Sequence, residues 1–241
     1  MIANELITLF RRNAEDASYT YDTNMPSALS LWSNFQLLQY IDQAQKEFAE
    51  KTYCFKDNFN FILSIVAPLA PATDFDPEIY YDPRIIKIER AESLTDNTIL
   101  DVLSMEEFQM SAFVDDYGIK RSASWETRTG KPRSLITDIS LNYVRLYPIP
   151  TETDTIKLTV RRYPLRNIES LDDELEVPQR FQYGLLYKMQ TEAFKNPKAL
   201  VSGYGDAAVA AKADWDNYIT DAYKHFRVKT QGPGKTRYGG L

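Results

Sequence analysis

One cysteine, Cys54, and one histidine, His225, are all that the chain has of the two residue types most often used to hold metals or activate nucleophiles. A lone cysteine allows no internal disulfide, suits a reducing compartment and cannot build a cysteine metal site. A metal site would therefore need carboxylates, and no calcium-loop or metalloprotease spacing occurs. His225 stands beside Phe226 near the expected end of the last helix, where a cation interacts favourably with the helix dipole, so a capping or surface role is expected. There is no glycine-rich phosphate loop either: Gly203-Tyr204-Gly205 lacks the lysine and the spacing, and reads as a helix-helix turn. No run of about eighteen uncharged apolar residues exists, so no membrane-spanning segment and no membrane partner are expected. The opening MIANELITLFRRNAED has acids near its start, Arg-Arg after its apolar part and no small-residue cleavage site. It predicts a short amphipathic helix rather than a signal peptide. A formal net charge of -6 argues against a general DNA-binding surface, which needs clustered Lys and Arg, but not against a protein that DNA merely passes.

What is present is a helical, then β, then helical pattern in a chain of 241 residues, long enough for one large domain or two small ones. After the turn-rich YDTNMPSALS, Leu37, Leu38, Ile41, Ala44 and Phe48 recur at helical spacing and predict a helix from Ser33 to about residue 56. Ser33 and Gln36 fit a capping box. From Asn58 the period changes to two, with Phe59, Phe61, Leu63 and Ile65 alternating before PLAP ends the strand. RIIKIERAES and TILDVL around TDNT read as a hairpin, and Ser104 with Glu107 opens a short helix through another capping box. Residues 114–132 are less regular, with Trp125 as the expected core anchor. SLITDI, NYVRLYP and TIKLTVRRYPL continue a meander of about five to seven strands.

Pro178 suits the first turn of the next helix, with the acids of ESLDDELE just before it. Phe181, Leu185, Met189 and Ala193 mark one face of that helix, and Tyr183, Tyr187 and Phe194 a second, which suggests neighbours on both sides. Ala208, Ala211, Trp215, Ile219, Ala222 and Phe226 form the stripe of a last helix ending near Arg227. The expected fold is α+β: a helical bundle from residues 1–57 and 166–227, with an inserted antiparallel β domain at 58–165.

The final residues, 228–241, carry Lys229, Lys235 and Arg237 and no acid, and their glycines and Pro233 cannot build a helix or a central strand. They are either an unstructured end or an arm that becomes ordered on a partner. Asp115 with Asp116, and Asp172 to Glu174, are the carboxylate groups a glycosidase mechanism could use, but so acidic a run is normally solvated. The sixteen tyrosines fit a wet interface, a sugar contact or strand flanks.

Four blocks in order, SLWSNFQLLQYIDQAQKEFAEKT, YDPRIIKIERAESLTDNTIL with LSMEEFQ, YVRLYPIPTETDTIKLTVRRYPL and LEVPQRFQYGLLYKMQTEAFKN, resemble the head-to-tail adaptor, or connector, proteins of tailed bacteriophages. The likeness covers roughly residues 30–227 and includes the helix start Leu31, Trp32 and Ser33 and the proline-led helix at Pro178 to Phe181. At Gln182 the family often has histidine, a departure at a position without a catalytic role. The resemblance implies a structural virion protein of the neck, assembled in the host cytoplasm, with no enzyme activity, catalytic residue, cofactor or metal. It implies a homo-oligomeric ring, usually a dodecamer, between the portal and the tail proteins, through which DNA passes without specific binding. Residues 228–241 then become an extended arm, with Lys229, Pro233, Lys235, Arg237, Tyr238 and Leu241 as portal-binding residues. The acids Glu169, Asp172, Asp173 and Glu174 become candidates for the channel lining, where carboxylates repel phosphate. For the same acids a role at the N-terminus of the next helix is the alternative. Other readings of the whole chain are a tail-tube or fibre-attachment component, or a carboxylate-based carbohydrate-active enzyme.

Overall fold

The computed structural model describes residues 1–14, 19–20, 25–26, 31–65, 78–112 and 128–231. The fold is mixed α+β and divides into two compact units, Met1–Phe55 with Tyr163–Leu241, and Lys56–Arg162.

In the first unit α1 (Ala3–Asn13) buries Leu6, Ile7 and Phe10. Its Arg11 is also fully buried, because the guanidinium donates to Trp32 O at 3.0 Å and Asn34 Oδ1 at 2.8 Å. After the two-residue pair of β1 (Tyr19–Thr20) and β2 (Met25–Pro26), α2 (Asn34–Thr52) starts at the expected capping box, with Gln36 N donating to Ser33 Oγ at 3.2 Å. It stops short of residue 56 because Tyr53 turns left-handed at φ 52° and closes the last turn.

The helix expected from Pro178 is broken. Pro178 is the N-cap of a one-turn α4 (Gln179–Gln182), and α5 (Leu185–Phe194) restarts after Gly184. A Cβ at Gly184 would lie inside the Tyr218 ring, so glycine there permits a close approach that the Tyr218 hydroxyl completes by donating to Phe181 O at 2.8 Å. Of the second face, Phe194 is buried, but Tyr183 is exposed. Asn196 then caps a short α6 (Pro197–Val201), which the pattern NPKALVSGYG conceals.

The last helix, α7 (Gly205–Gln231), runs one turn beyond Arg227. Ala208, Ala211, Trp215, Ile219 and Ala222 are buried along the expected stripe, while Phe226 is only half-buried. His225 therefore lies more than a turn from the end of the helix, outside the reach of the dipole, and packs edge-on to Phe181 with centroids 5.4 Å apart. Two aromatic clusters fill the core of this unit. Phe10, Trp32, Phe194 and Tyr204 form one, pinned by Trp32 Nε1 donating to Ala193 O at 3.1 Å, and Phe48, Phe181, Trp215 and Tyr218 the other.

Among its described residues the second unit is built on an eight-stranded sheet. Its strands are β3 (Lys56–Asp57), β4 (Ile62–Ile65), β5 (Glu78–Tyr80), β6 (Ile85–Ser93), β7 (Thr98–Ser104), β8 (Ser134–Ser140), β9 (Tyr143–Tyr147) and β10 (Asp154–Arg162). The order is β3-β10-β6-β7-β8-β9-β5, with β4 also on β10. This corrects two expectations. It is not a simple meander, because β10 returns to sit between β3/β4 and β6. It is not wholly antiparallel, because β7 and β8 pair in parallel. The 105–133 connection, with α3 (Met105–Ala112) at its start, is long enough to bring the chain back in the same direction.

The β6–β7 hairpin turns through Asn97 at φ 53°, and Ser104 and Glu107 form the expected capping box of α3. Leu63, Ile65, Ile156, Leu158, Val160, Ala91 and Leu100 bury one face. Phe59 does not belong to the alternation and is exposed. The alternation of β10 holds through Val160 and stops at Arg161, beside a register shift against β6 between Arg161 and Arg162, so that Val160, Arg161 and Arg162 are all buried. Trp125 lies outside the described residues.

Candidate interaction surfaces

The acidic segment between Glu169 and Glu176 is an ordered turn. The Asp173 carboxylate accepts from the Glu169 and Ser170 amides at 2.8 and 2.7 Å, and these bonds hold its carboxyl below the usual range. The first amides of α1, which no helix carbonyl can satisfy, donate to the same turn: Ala3 N to Asp173 O and Asn4 N to Leu171 O, both at 2.9 Å. Leu175 N donates to Met1 O at 3.2 Å, and Ile2 bridges Glu174.

Two buried glutamines grip the chain that follows. Gln45 Oε1 accepts from Glu176 N at 2.8 Å and Val177 N at 3.4 Å. Gln182 Nε2 donates to Leu175 O at 3.1 Å and Val177 O at 2.8 Å. Glu176 is turned to its own backbone, accepting from Leu165 N at 2.7 Å.

The result separates the predicted acids. Glu169, Asp172 and Glu174 are exposed, whereas Asp173 is half-buried and fixes the turn. None of these acids lies in the first turn of α4 itself; they precede its N-cap, Pro178. Asp115 and Asp116 lie outside the described residues, as do Pro233, Lys235, Arg237, Tyr238 and Leu241. Lys229 belongs to the last turn of α7 rather than to an extended arm.

The gripping glutamines were missed, although a signal existed. Gln45 falls on the apolar stripe between Ile41 and Phe48, and Gln182 follows the buried Phe181; a polar residue on a buried face needs a buried partner. Also missed was the charge network beneath α7. Lys188 Nζ lies 2.6 Å from Glu47 Oε2 and 2.7 Å from Glu192 Oε1, and Glu47 Oε1 accepts from Lys51 at 2.6 Å and from Trp215 Nε1 at 3.0 Å. Burial disfavours the Glu47 carboxylate, but the bonds from Lys188, Lys51 and Trp215 outweigh it and bring the pKa down to about 2.

In the β unit, burial likewise opposes ionisation of Asp57. The amides of Phe59 and Asn60, the Asn60 side chain and Arg162 outweigh it and hold that carboxyl well below the usual range. Among the described residues no group of three His, Cys, Asp or Glu side chains could hold a metal, and no helix is long and apolar enough to cross a membrane.

The family model described as SU10 adaptor protein matches residues 1–237, and the chain belongs to that family of structural phage proteins, consistent with a head-to-tail adaptor. Comparison with curated proteins returns no match. Membership makes the protein a virion component that interacts with other phage head and tail proteins.

Proposed function

We propose that this adaptor assembles as a ring, a dodecamer in keeping with the resemblance, between portal and tail in the neck of the virion. DNA crosses the ring during packaging and ejection without being bound. The two units serve as a helical bundle around the ring and an inserted β domain. Glu169, Asp172 and Glu174 line the passage, with Asp173 fixing their turn, and repel phosphate so that DNA does not stall. Residues 232–241, with Lys229 at the helix end that feeds them, dock on the portal; each exposed ion pair is weak, and repetition around the ring makes the attachment strong.

One observation carries the reading: the acidic turn is held by α1, Gln45 and Gln182 through bonds that use none of the carboxylates of Glu169, Asp172 and Glu174. Replacing these three residues with lysine is expected to slow ejection, with relief at higher salt. A map of the ring on its portal with all three on the outer wall overturns the lining. Deleting residues 232–241 is expected to leave the subunit folded and to abolish attachment to the portal.

A further inference from the structure

Phe59 is 76% exposed, yet its backbone is held in a hydrogen-bonded turn. The Asp57 carboxylate beneath it is buried and accepts from Phe59 N at 2.9 Å, Asn60 N at 3.1 Å and Asn60 Nδ2 at 2.7 Å. Arg162 Nε anchors the same carboxylate from β10 at 2.9 Å. Lys157 Nζ stands 5.3 Å from the centre of the Phe59 ring, and Ile62, opposite Lys157 in the register, is exposed as well. Glu92, the other neighbour of Lys157 across the sheet, already engages Arg90 at 3.2 Å. A rigid turn that holds an aromatic ring in water, with a cation against it, has already met the ordering cost of binding, and aromatic anchors of this kind dominate interfaces.

The same unit carries a shallow cleft of mixed, mostly polar lining, with two prolines that offer apolar contact and one exposed acid. It opens between the β6–β7 turn and the segments before β8 and β10, with Pro132 and Pro150 as apolar walls and Glu152 exposed at its side. Lys131 within it is paired with Asp96 at 2.7 Å and also feels the charge of Glu152. The Phe59 turn and the cleft share no residue, so they can be used at once by two different neighbours, as a ring of head-to-tail contacts requires.

We propose that the Phe59 turn of one copy seats in the Pro132–Pro150 cleft of the next, with Lys157 facing the neighbour's Glu152. The proposal rests on the ring reading, and the experiment separates the two. Sedimentation of the purified full chain over a range of concentrations is expected to show self-association. Phe59→Ala is expected to weaken it about 30-fold or more, as loss of an aromatic anchor does, with an unchanged melting curve. Lys157→Glu and Glu152→Lys are each expected to weaken it, and the double variant to recover it.

Mixing Phe59→Ala with Glu152→Lys is expected to give pairs that grow no further, because each retains only one working surface. A wild-type chain that stays monomeric at every concentration overturns the ring reading and this contact with it. Wild-type association matched by Phe59→Ala overturns the contact alone, as does a double charge reversal that restores nothing, the outcome if the Phe59 turn instead meets a different virion protein. If Phe59→Ala lowers the melting temperature, the charge-reversal pair decides.

Discussion

In the helical unit one carboxylate, Glu47, is shared among partners on three helices, whereas in the β unit the buried carboxylate of Asp57 is divided between one cation, Arg162, and the turn that follows it. In the first, Glu47 of α2 holds Lys188 of α5, Lys51 and the indole of Trp215 in α7, and Lys188 also reaches Glu192. In the second, Asp57 meets Arg162 and at the same time shapes the Phe59 turn. When Glu47 is removed Lys188 keeps Glu192. When Asp57 is removed, Arg162 loses that carboxylate and the Phe59 and Asn60 amides lose their acceptor at the same time. Loss of Glu47 should therefore be tolerated better than loss of Asp57, and the helical unit should be most sensitive where the network meets the aromatic core.

That comparison breaks first at Trp215. The side chain is 2% exposed, packs on Phe48 and Tyr218 and donates to Glu47. Trp215→Ala is expected to cost about 3–5 kcal/mol in denaturant unfolding. An unchanged unfolding midpoint would show that the core of this unit lies elsewhere.

Next comes Asp57→Ala, expected to cost about 3 kcal/mol, the lower end for breaking a buried pair. Hydrogen exchange should show the loss spreading from β3 to the amides of Phe59 and Asn60, which lose their acceptor. A loss no larger than that for Glu47→Gln would sink the contrast between the two units.

Glu47→Gln is expected to cost less, about 1–2 kcal/mol, because the amide still accepts hydrogen bonds and Lys188 keeps Glu192. Its signature is in the pH dependence. The folded pKa of Glu47 lies below its ordinary 4.5, so its contribution is full above that pH and is lost as pH falls toward 2. Lys188 moves in the other direction: bonds from Glu192 and Glu47 outweigh burial and raise its pKa, so its contribution is full below 10.5 and fades as pH climbs past that value. Melting temperatures of wild type and variant should converge as pH falls from 4.5 toward 2, and stay apart at neutral pH. Parallel curves across that range would remove Glu47 from the acid response.

The same contrast explains what the sequence could reveal. Helix periodicity is local, so Leu37 to Phe48 and Ala208 to Ala222 were legible, as were the capping boxes at Ser33 and Ser104, each complete within four residues. Sheet order is not local. Nothing in TIKLTVRRYPL says that β10 will lie beside β6 rather than β9, or that β7 and β8 will run parallel. The break at Gly184 was hidden because its cause, the Tyr218 ring, lies in a different helix. At the candidate surface, the acidity of 169–176 was plain, but the inward use of Asp173 was not, since it depends on the turn's own amides. Lys229 was misplaced because Val228 to Gln231, which lack the apolar stripe of the residues before them, still extend α7.

The smallest expected effect tests the sharing itself. Lys51 sits one turn after Glu47 on the same helix, pairs with it at 2.6 Å and keeps 44% of its side chain in solvent. In water-exposed helix pairs of this spacing the attraction is screened and the long side chain loses entropy, so Lys51→Ala is expected to cost only about 0.3–0.5 kcal/mol. Glu47 would still hold Lys188 and Trp215, and its carboxylate would stay ionised at neutral pH. Addition of salt to about 1 M should erase most of the small difference from wild type, because the screening length then falls to about 3 Å, close to the separation of the pair. A cost as large as that of Glu47→Gln, insensitive to salt, would mean that Lys51 is the principal partner of Glu47, and the sharing of that carboxylate with Lys188 and Trp215 would then carry little of its stabilisation.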